Sequence, residues 1–224
     1  MAAARGSIDL GISLAVQLAV ESIRMQFEDA MIHCDNLVKV HQRAGTGERG
    51  RRHIETSVNR AIIVVAIASW QAVVQDIVRD RLREGMPKST DPNYGFARLI
   101  EGQVLRELDR FSTPNAENSR NLLRLIGFDP RPYWTWRTRD GGGAAATLSP
   151  AQVEERLRDW LKVRHAIAHG DAKMPSVAVL QAVRQGNVQP DEGPTIRLYD
   201  AKQCIAFVKK LTDLTLDGLE AEIA

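Results

Sequence analysis

The spacing of apolar residues predicts a chain made almost entirely of helices. From residue 8 to about residue 43, apolar side chains recur at three- and four-residue steps, the period of one helix face. A second helix is predicted over 52–84, and its centre, residues 61–68, is almost wholly apolar, as in a helix buried on most sides. Two long helices separated by Gly45-Thr46-Gly47 predict an all-α, up-and-down helical bundle.

Shorter helices and loops are predicted for the rest of the chain. A helix should begin at Ser149-Pro150 and end before Gly170, and Asp200 with Gln203 forms a capping-box pattern that opens a last helix through about Leu219. The remaining predicted segments are a loop at 85–94, a helix at 96–108, a helix starting at Thr113-Pro114 and ending at Gly127, a mobile glycine-rich stretch at 140–146, a weak helix at 175–185 and a polar loop at 189–194.

Composition fits one domain over residues 1–224, with a core at about 8–175 and a C-terminal helix at 196–224 that completes the bundle. The net charge of +2 gives no global basic field, although 23 of the 30 basic residues are arginines. Those arginines fit either a solvated surface or an RNA-binding track. Two cysteines are too few for a disulfide framework, and the apolar stretch 8–20 is broken by polar residues, so a cytoplasmic protein without a membrane anchor is predicted.

The predicted helix that ends at Gly170 carries the chemistry. Ser149 can cap it, Pro150 suits its first position, and Gly170 is a natural stop. Arg164, His165 and His169 should therefore lie in its last turns. A guanidinium is a rigid fork suited to phosphate, and an imidazole titrates near neutral pH, so together they can cleave a phosphodiester by general acid–base catalysis.

Two other roles remain open for these side chains. Arg164 could form a salt bridge to a neighbouring helix while His169 caps its own helix end. His165 and His169, four residues apart, could hold zinc, but no third ligand is evident and no metal is predicted. At about 100° per residue, Arg164 and His169 lie roughly 140° apart around the helix.

Three blocks of the sequence resemble one family. The run Arg164–His169 resembles the R-polar-x-x-x-H signature of HEPN domains, which occur in defence and RNA-processing systems. Residues 68–76, ASWQAVVQD, resemble the A-S-W-x-x-φ-x-[ED] helix of RiboL-PSP-type HEPN families, where φ is apolar. Residues 111–118, FSTPNAEN, resemble their F-x-T-P-x-x-x-N segment. The resemblance covers roughly residues 60–175 in the same order.

The resemblance implies a metal-independent endoribonuclease in prokaryotic defence, acting as a toxin-like effector or in abortive infection. His169 would transfer a proton, Arg164 would neutralise the phosphate, and the products would carry 2′,3′-cyclic phosphate and 5′-hydroxyl ends. His165 would orient the pair or carry a second proton.

Such domains dimerise through the motif face, and no cofactor is expected. Expected partners are RNA, a second copy and an antitoxin or defence-system protein. The alternatives are a non-catalytic module that binds RNA, nucleotide or protein, and a helical scaffold.

Supporting residues are predicted on the second helix. Ser69, Trp70 and Asp76 belong to the second matching block, where the resemblance implies packing against the motif helix. Asp76 could orient Arg164 or pair with Arg79 three residues on. Trp70 is predicted to belong to the core rather than to stack on a base.

An aromatic and basic segment follows the Gly127 stop. Its rings could stack on unpaired bases while its arginines hold the backbone, or the rings could close the end of the bundle, which the two nearby prolines favour. The candidate RNA contacts are Arg131, Trp134, Trp136, Arg137 and Arg139.

Overall fold

The computed structural model describes residues 2–44, 53–138, 146–188 and 193–223. These residues form seven α-helices and one β-hairpin: α1 (Ala2–Ala44), α2 (His53–Gly85), α3 (Tyr94–Arg110), α4 (Ala116–Arg124), β1 (Trp136–Thr138), β2 (Ala146–Leu148), α5 (Pro150–His169), α6 (Gln181–Arg184) and α7 (Leu198–Ile223). The prediction of an all-α helical bundle with two long N-terminal helices is confirmed.

The helices α1, α2 and α7 pack against one another and hold the largest part of the core. α7 runs antiparallel to α1: Arg24 of α1 is 2.9 Å from Asp217 late in α7, whereas Asp35 is 3.6 Å from Lys209 nearer its start. Burying one apolar face of each helix stabilises the bundle by about 25 cal/mol per Å² removed from water.

The central element is α2, which also contacts α3, α4 and α5. The apolar centre predicted to be buried is largely so: Ile62, Ile63, Ala66 and Ile67 are at 0% exposure, whereas the residues between them are half-buried and Ala68 is exposed. By length and composition alone, the helix could cross a membrane. However, 56% of its most apolar 18-residue stretch is buried inside the fold. A helix at the centre of a bundle has the same composition.

Both cysteines are free thiols inside this core. Cys34 of α1 and Cys204 of α7 are fully buried, and burial raises the pKa of the Cys34 thiol to about 11. A thiol in that environment stays protonated and unreactive near neutral pH.

Helix boundaries in the middle of the chain differ from the predicted ones by a few residues. α4 begins at Ala116 rather than at Thr113-Pro114, because Asn115 is the N-cap and its side chain accepts a 2.7 Å hydrogen bond from the Asn118 amide. The helix ends at Arg124, and a turn continues to Gly127, whose φ of +84° favours glycine.

The β-hairpin was not predicted from the sequence. β1 and β2 pair antiparallel, with Trp136 opposite Leu148 and Thr138 opposite Ala146. Strands of three residues are too short to show an alternating pattern. A 3₁₀ turn at Arg131–Tyr133 precedes the hairpin and packs against α7.

The predicted capping box at the start of the last helix is wrong. α7 begins at Leu198, so Asp200 lies inside its first turn rather than at the cap. Its buried carboxylate accepts hydrogen bonds from the amides of Arg197 (2.8 Å) and Gln181 (2.7 Å), which joins the N-terminal ends of α6 and α7. The weak helix predicted at 175–185 shrinks to the four residues of α6.

Several sequence predictions concern residues that the structure does not describe. They are the break at Gly45-Thr46-Gly47, the glycine-rich stretch up to residue 145, the part of the polar loop at 189–192, and Arg139 as an RNA contact.

Candidate functional site

The helix that carries the motif has the predicted ends. Ser149 and Gln152 form a capping box at its start, in which the Ser149 amide donates to the Gln152 side chain at 2.9 Å. Gly170 closes the other end in the left-handed conformation, with φ +70°. Its amide donates to the Ile167 carbonyl, and the Asp171 amide donates to the Ala166 carbonyl. These two hydrogen bonds are the pattern of a Schellman motif. The last turn, with His169 in it, is thereby fixed.

The two histidines of the motif lie side by side on the outside of the protein. His165 and His169 are both exposed, and their ring centroids are 4.1 Å apart with planes tilted by 54°. Their spacing of four residues places them one above the other on the same helix face. Both imidazoles are therefore accessible to a ligand from solvent.

Arg164 lies on the flank of the same helix, between the core face and solvent. It is half-buried, and its Nε is enclosed without a hydrogen-bond partner among the described residues. No ion pair or hydrogen bond engages the rest of its guanidinium within the described ranges. A buried guanidinium N–H without an acceptor is costly, roughly 1–3 kcal/mol, which a bound anion would offset. The alternative of a salt bridge to a neighbouring helix is not seen among the described residues, so the guanidinium is available to an anionic ligand.

Asp76 pairs with Arg79, and within the described part of the chain it forms no hydrogen bond or ion pair with Arg164. The Arg79 guanidinium donates to the Asp76 carboxylate at 3.1 Å, across a partly exposed i, i+3 pair on α2. Of the two predicted roles for Asp76, the pairing with Arg79 is the observed one, and the orienting role toward Arg164 is corrected. Exposed pairs of this kind contribute little to stability, about 0–1 kcal/mol.

Ser69 and Trp70 serve the core of α2. The Ser69 hydroxyl is buried and donates to the Val65 carbonyl of its own helix at 3.0 Å, so it is not free to support the motif. Trp70 is fully buried, as predicted, and its indole N–H donates to the Pro114 carbonyl at 3.2 Å.

The second and third sequence blocks are joined by two hydrogen bonds. Besides Trp70, Gln71 donates from its side chain to the Phe111 carbonyl at 2.9 Å. The loop between α3 and α4 is thereby fixed on α2, which also packs against α5. The three segments that resemble one family are thus neighbours around α2.

The aromatic and basic segment is mainly structural. Trp134 is fully buried, stacks edge-on against Trp70 with ring centroids 6.3 Å apart, and donates to Thr215 at 2.9 Å. Its predicted contact with RNA is therefore corrected, because no face of its ring reaches solvent. Trp136 is half-buried against Phe207, so part of its ring is covered by α7. The alternative that the rings close the end of the bundle is confirmed for Trp134.

The two arginines of this segment that the structure describes differ: one is ion-paired and the other is exposed. Arg131 donates to Glu154 at 2.8 Å and belongs to a network in which Arg120 bridges Glu154 and Asp129. The Arg120 guanidinium holds the pKa of the Asp129 carboxyl well below its usual range. This network fastens the residues after α4 to the first turns of α5, so Arg131 has a structural role, whereas Arg137 is exposed.

Neither described cleft contains the motif side chains. A cleft of about 320 Å³ lies between the first half of α5, the hairpin and α7, with Trp136, Trp160 and Phe207 in its wall. A second lies between α3 and α4. Within the described ranges, no group of three or more His, Cys, Asp or Glu side chains is placed to hold a metal ion.

Two further basic residues on the motif helix were missed by the sequence reading. Arg158 and Lys162 are exposed on the same face as His165 and His169. The signal was available in their steps of four, three and four residues, which place side chains on one helix face.

Comparison of the chain with protein-family models, with curated proteins and with solved structures gives no match.

Proposed function

We propose that this protein is a cytoplasmic, metal-independent endoribonuclease of HEPN type that acts in prokaryotic defence. The observation that carries the proposal is the end of α5, where an arginine whose enclosed Nε has no partner among the described residues accompanies two exposed histidines. Arg164 supplies a cation for a phosphate, and His169 supplies an exposed imidazole that can accept or donate a proton. The three neighbouring blocks around α2 support the assignment to the HEPN class.

The proposed reaction is transfer of the phosphate to the adjacent 2′-oxygen. His169 accepts the proton of the 2′-hydroxyl as its oxygen attacks phosphorus, and the bond from phosphorus to the 5′-oxygen breaks. A separate group acts as the acid and protonates the leaving 5′-oxygen, which gives a 2′,3′-cyclic phosphate and a 5′-hydroxyl. Arg164 stabilises the charge that builds on the phosphate oxygens, an effect worth about 3–4 kcal/mol for one well-placed donor.

The geometry of the histidines supports the proposal of a dimer. In an in-line displacement the attacking and leaving oxygens lie on opposite sides of phosphorus. Two rings with centroids 4.1 Å apart on one helix face cannot bracket a phosphate in this way. We propose that the acid is the equivalent histidine of another copy, since a twofold contact between the ends of the two motif helices brings them together with one self-complementary patch.

The test is cleavage of single-stranded RNA in the presence of EDTA. Arg164→Ala and His169→Ala are expected to lower the rate at least about 100-fold each, the size of a general acid–base contribution. Two substitutions serve as matched controls: Arg60→Ala removes another half-buried arginine whose Nε is enclosed and unpartnered, and His33→Ala removes another exposed histidine. Both controls should cleave at the wild-type rate.

The products and the cellular effect complete the test. RNA with a 2′-deoxy sugar at the cleaved position should resist cleavage, because it lacks the attacking oxygen. With ordinary RNA, the 3′ ends formed should be 2′,3′-cyclic phosphates. Expression of the wild type should slow growth and fragment cellular RNA, whereas His169→Ala should not. Cleavage by both motif variants at the wild-type rate would falsify the nuclease assignment.

A non-catalytic HEPN module is the second candidate. It is favoured by the exposure of His165 and His169 on the surface of α5, since a substrate pocket usually encloses the reactive groups. Binding of RNA, nucleotide or a partner protein without any cleavage, and equal cellular effects of wild type and His169→Ala, would establish this candidate instead.

A further inference from the structure

The outer face of α5 carries a continuous basic strip. Arg158, Lys162, His165 and His169 are all exposed and follow one another at steps of four, three and four residues. At 100° and 1.5 Å per residue, they occupy an arc of about 60° and a length of about 16 Å along the helix. This length matches a few nucleotides of an extended strand, so the motif histidines lie at one end of a longer cationic surface.

Neighbouring acids neutralise only part of the strip. Arg158 has no ion-pair partner among the described residues, whereas Lys162 forms one ion pair, at 3.5 Å to Asp159. By contrast, many surface arginines elsewhere are paired, including Arg79 with Asp76 and Arg98 with Glu101. Exposed Glu155, one turn before Arg158, marks the far end of the strip.

Apart from the two motif imidazoles, the strip offers charge but no ring on which a base could stack. The one tryptophan of α5, Trp160, is 2% exposed and points into the core. Arg158 and Lys162 offer charge alone, and such cations bind the regularly charged backbone of a nucleic acid rather than its bases. Recognition along this face should therefore be insensitive to sequence and sensitive to salt.

We propose that single-stranded RNA lies along the outer face of α5, with Arg158 and Lys162 binding phosphates next to the one held at the motif. This inference rests on the proposed nuclease function and names the part of the substrate that lies outside the reactive centre. A single strand is favoured over a duplex because in-line attack requires a backbone free to rotate. The two residues bind substrate and take no part in bond breaking.

The experiment measures the salt dependence of binding in the His169→Ala background, where RNA stays intact. Each phosphate contact contributes about 0.7 to the slope of log K against log salt for a single strand. Arg158→Gln and Lys162→Gln should each lower that slope by about 0.7, and the double variant by about 1.4. With His169 restored, the double variant should raise KM several-fold while kcat changes little.

Matched controls come from exposed basic residues on other elements. Arg106 on α3 and Lys88 after α2 are exposed and carry no recorded ion pair among the described residues. Arg106→Gln with Lys88→Gln removes the same charges from the chain as a whole and should leave the slope unchanged. This control separates a local contact from a general effect of net charge.

The outcomes distinguish this inference from the nuclease assignment. If the slope falls as expected but the wild type does not cleave, the strip binds RNA and the nuclease assignment fails. Two results would overturn this inference alone while the wild type still cleaves RNA. One is an unchanged salt slope in the double variant, and the other is an equal fall of the slope in the control pair. The inference is also overturned if the substitutions weaken binding to phosphatidylserine vesicles and leave RNA binding intact.

Discussion

Replacing Gly170 by alanine tests whether the end of α5 must be held in place for activity. Gly170 has φ +70°, in the left-handed region, and a Cβ built on it would meet nothing within 4 Å. The substitution therefore introduces no steric clash with other residues, and its cost is conformational alone. An L-residue in this region costs roughly 1–2 kcal/mol. The chain can relieve that cost by unwinding the last turn, which would move His169.

The expected loss of unfolding free energy is about 1 kcal/mol or slightly more. For a chain of this size, each 1 kcal/mol lowers Tm by roughly 2–4 °C. Gly186→Ala is a matched control, because Gly186 has φ +67° and equally open space at the end of α6, away from the motif. The two alanine variants should therefore lose similar stability.

Urea unfolding and RNA cleavage should be measured on both variants. Gly170→Ala is expected to lower kcat several-fold, and Gly186→Ala to leave it unchanged. Gly170→Asn should recover part of both losses, because asparagine tolerates the left-handed region better than alanine. Equal cleavage by the two alanine variants would refute the link between this helix end and catalysis, and a fully stable Gly170→Ala would refute the conformational argument itself.

Three further predictions concern the scaffold. Gly218→Ala would place a Cβ about 2.5 Å from the Tyr133 ring, so we expect a loss of about 1–3 kcal/mol, seen as a lower Tm. Trp70→Phe leaves the buried Pro114 carbonyl without its donor and should cost about 1–3 kcal/mol in urea unfolding. Asp129 has a folded pKa below its ordinary value, so its contribution to stability is full above about pH 4 and is lost as the pH falls through the folded pKa. The difference in urea midpoint between wild type and Asp129→Asn should therefore shrink as the pH falls from about 6 to about 3; a constant difference would contradict this.

The sequence alone determined the helical class and the local ends of the motif helix. Apolar periodicity and capping are short-range properties, so the capping box at Ser149 and the left-handed stop at Gly170 could be read without knowing any tertiary contact. The same short-range reasoning placed Arg164, His165 and His169 in the last turns of one helix.

Only the tertiary structure decided which of several available partners each side chain has. Asp76 could reach either of two arginines by sequence, and for Trp134 both a base and the end of the bundle were open, with the prolines favouring the bundle. Asp200 resembled an ordinary cap but joins α6 to α7. Such choices depend on segments far apart in the chain being packed together, because burial and long-range hydrogen bonds have no local pattern that a sequence can display.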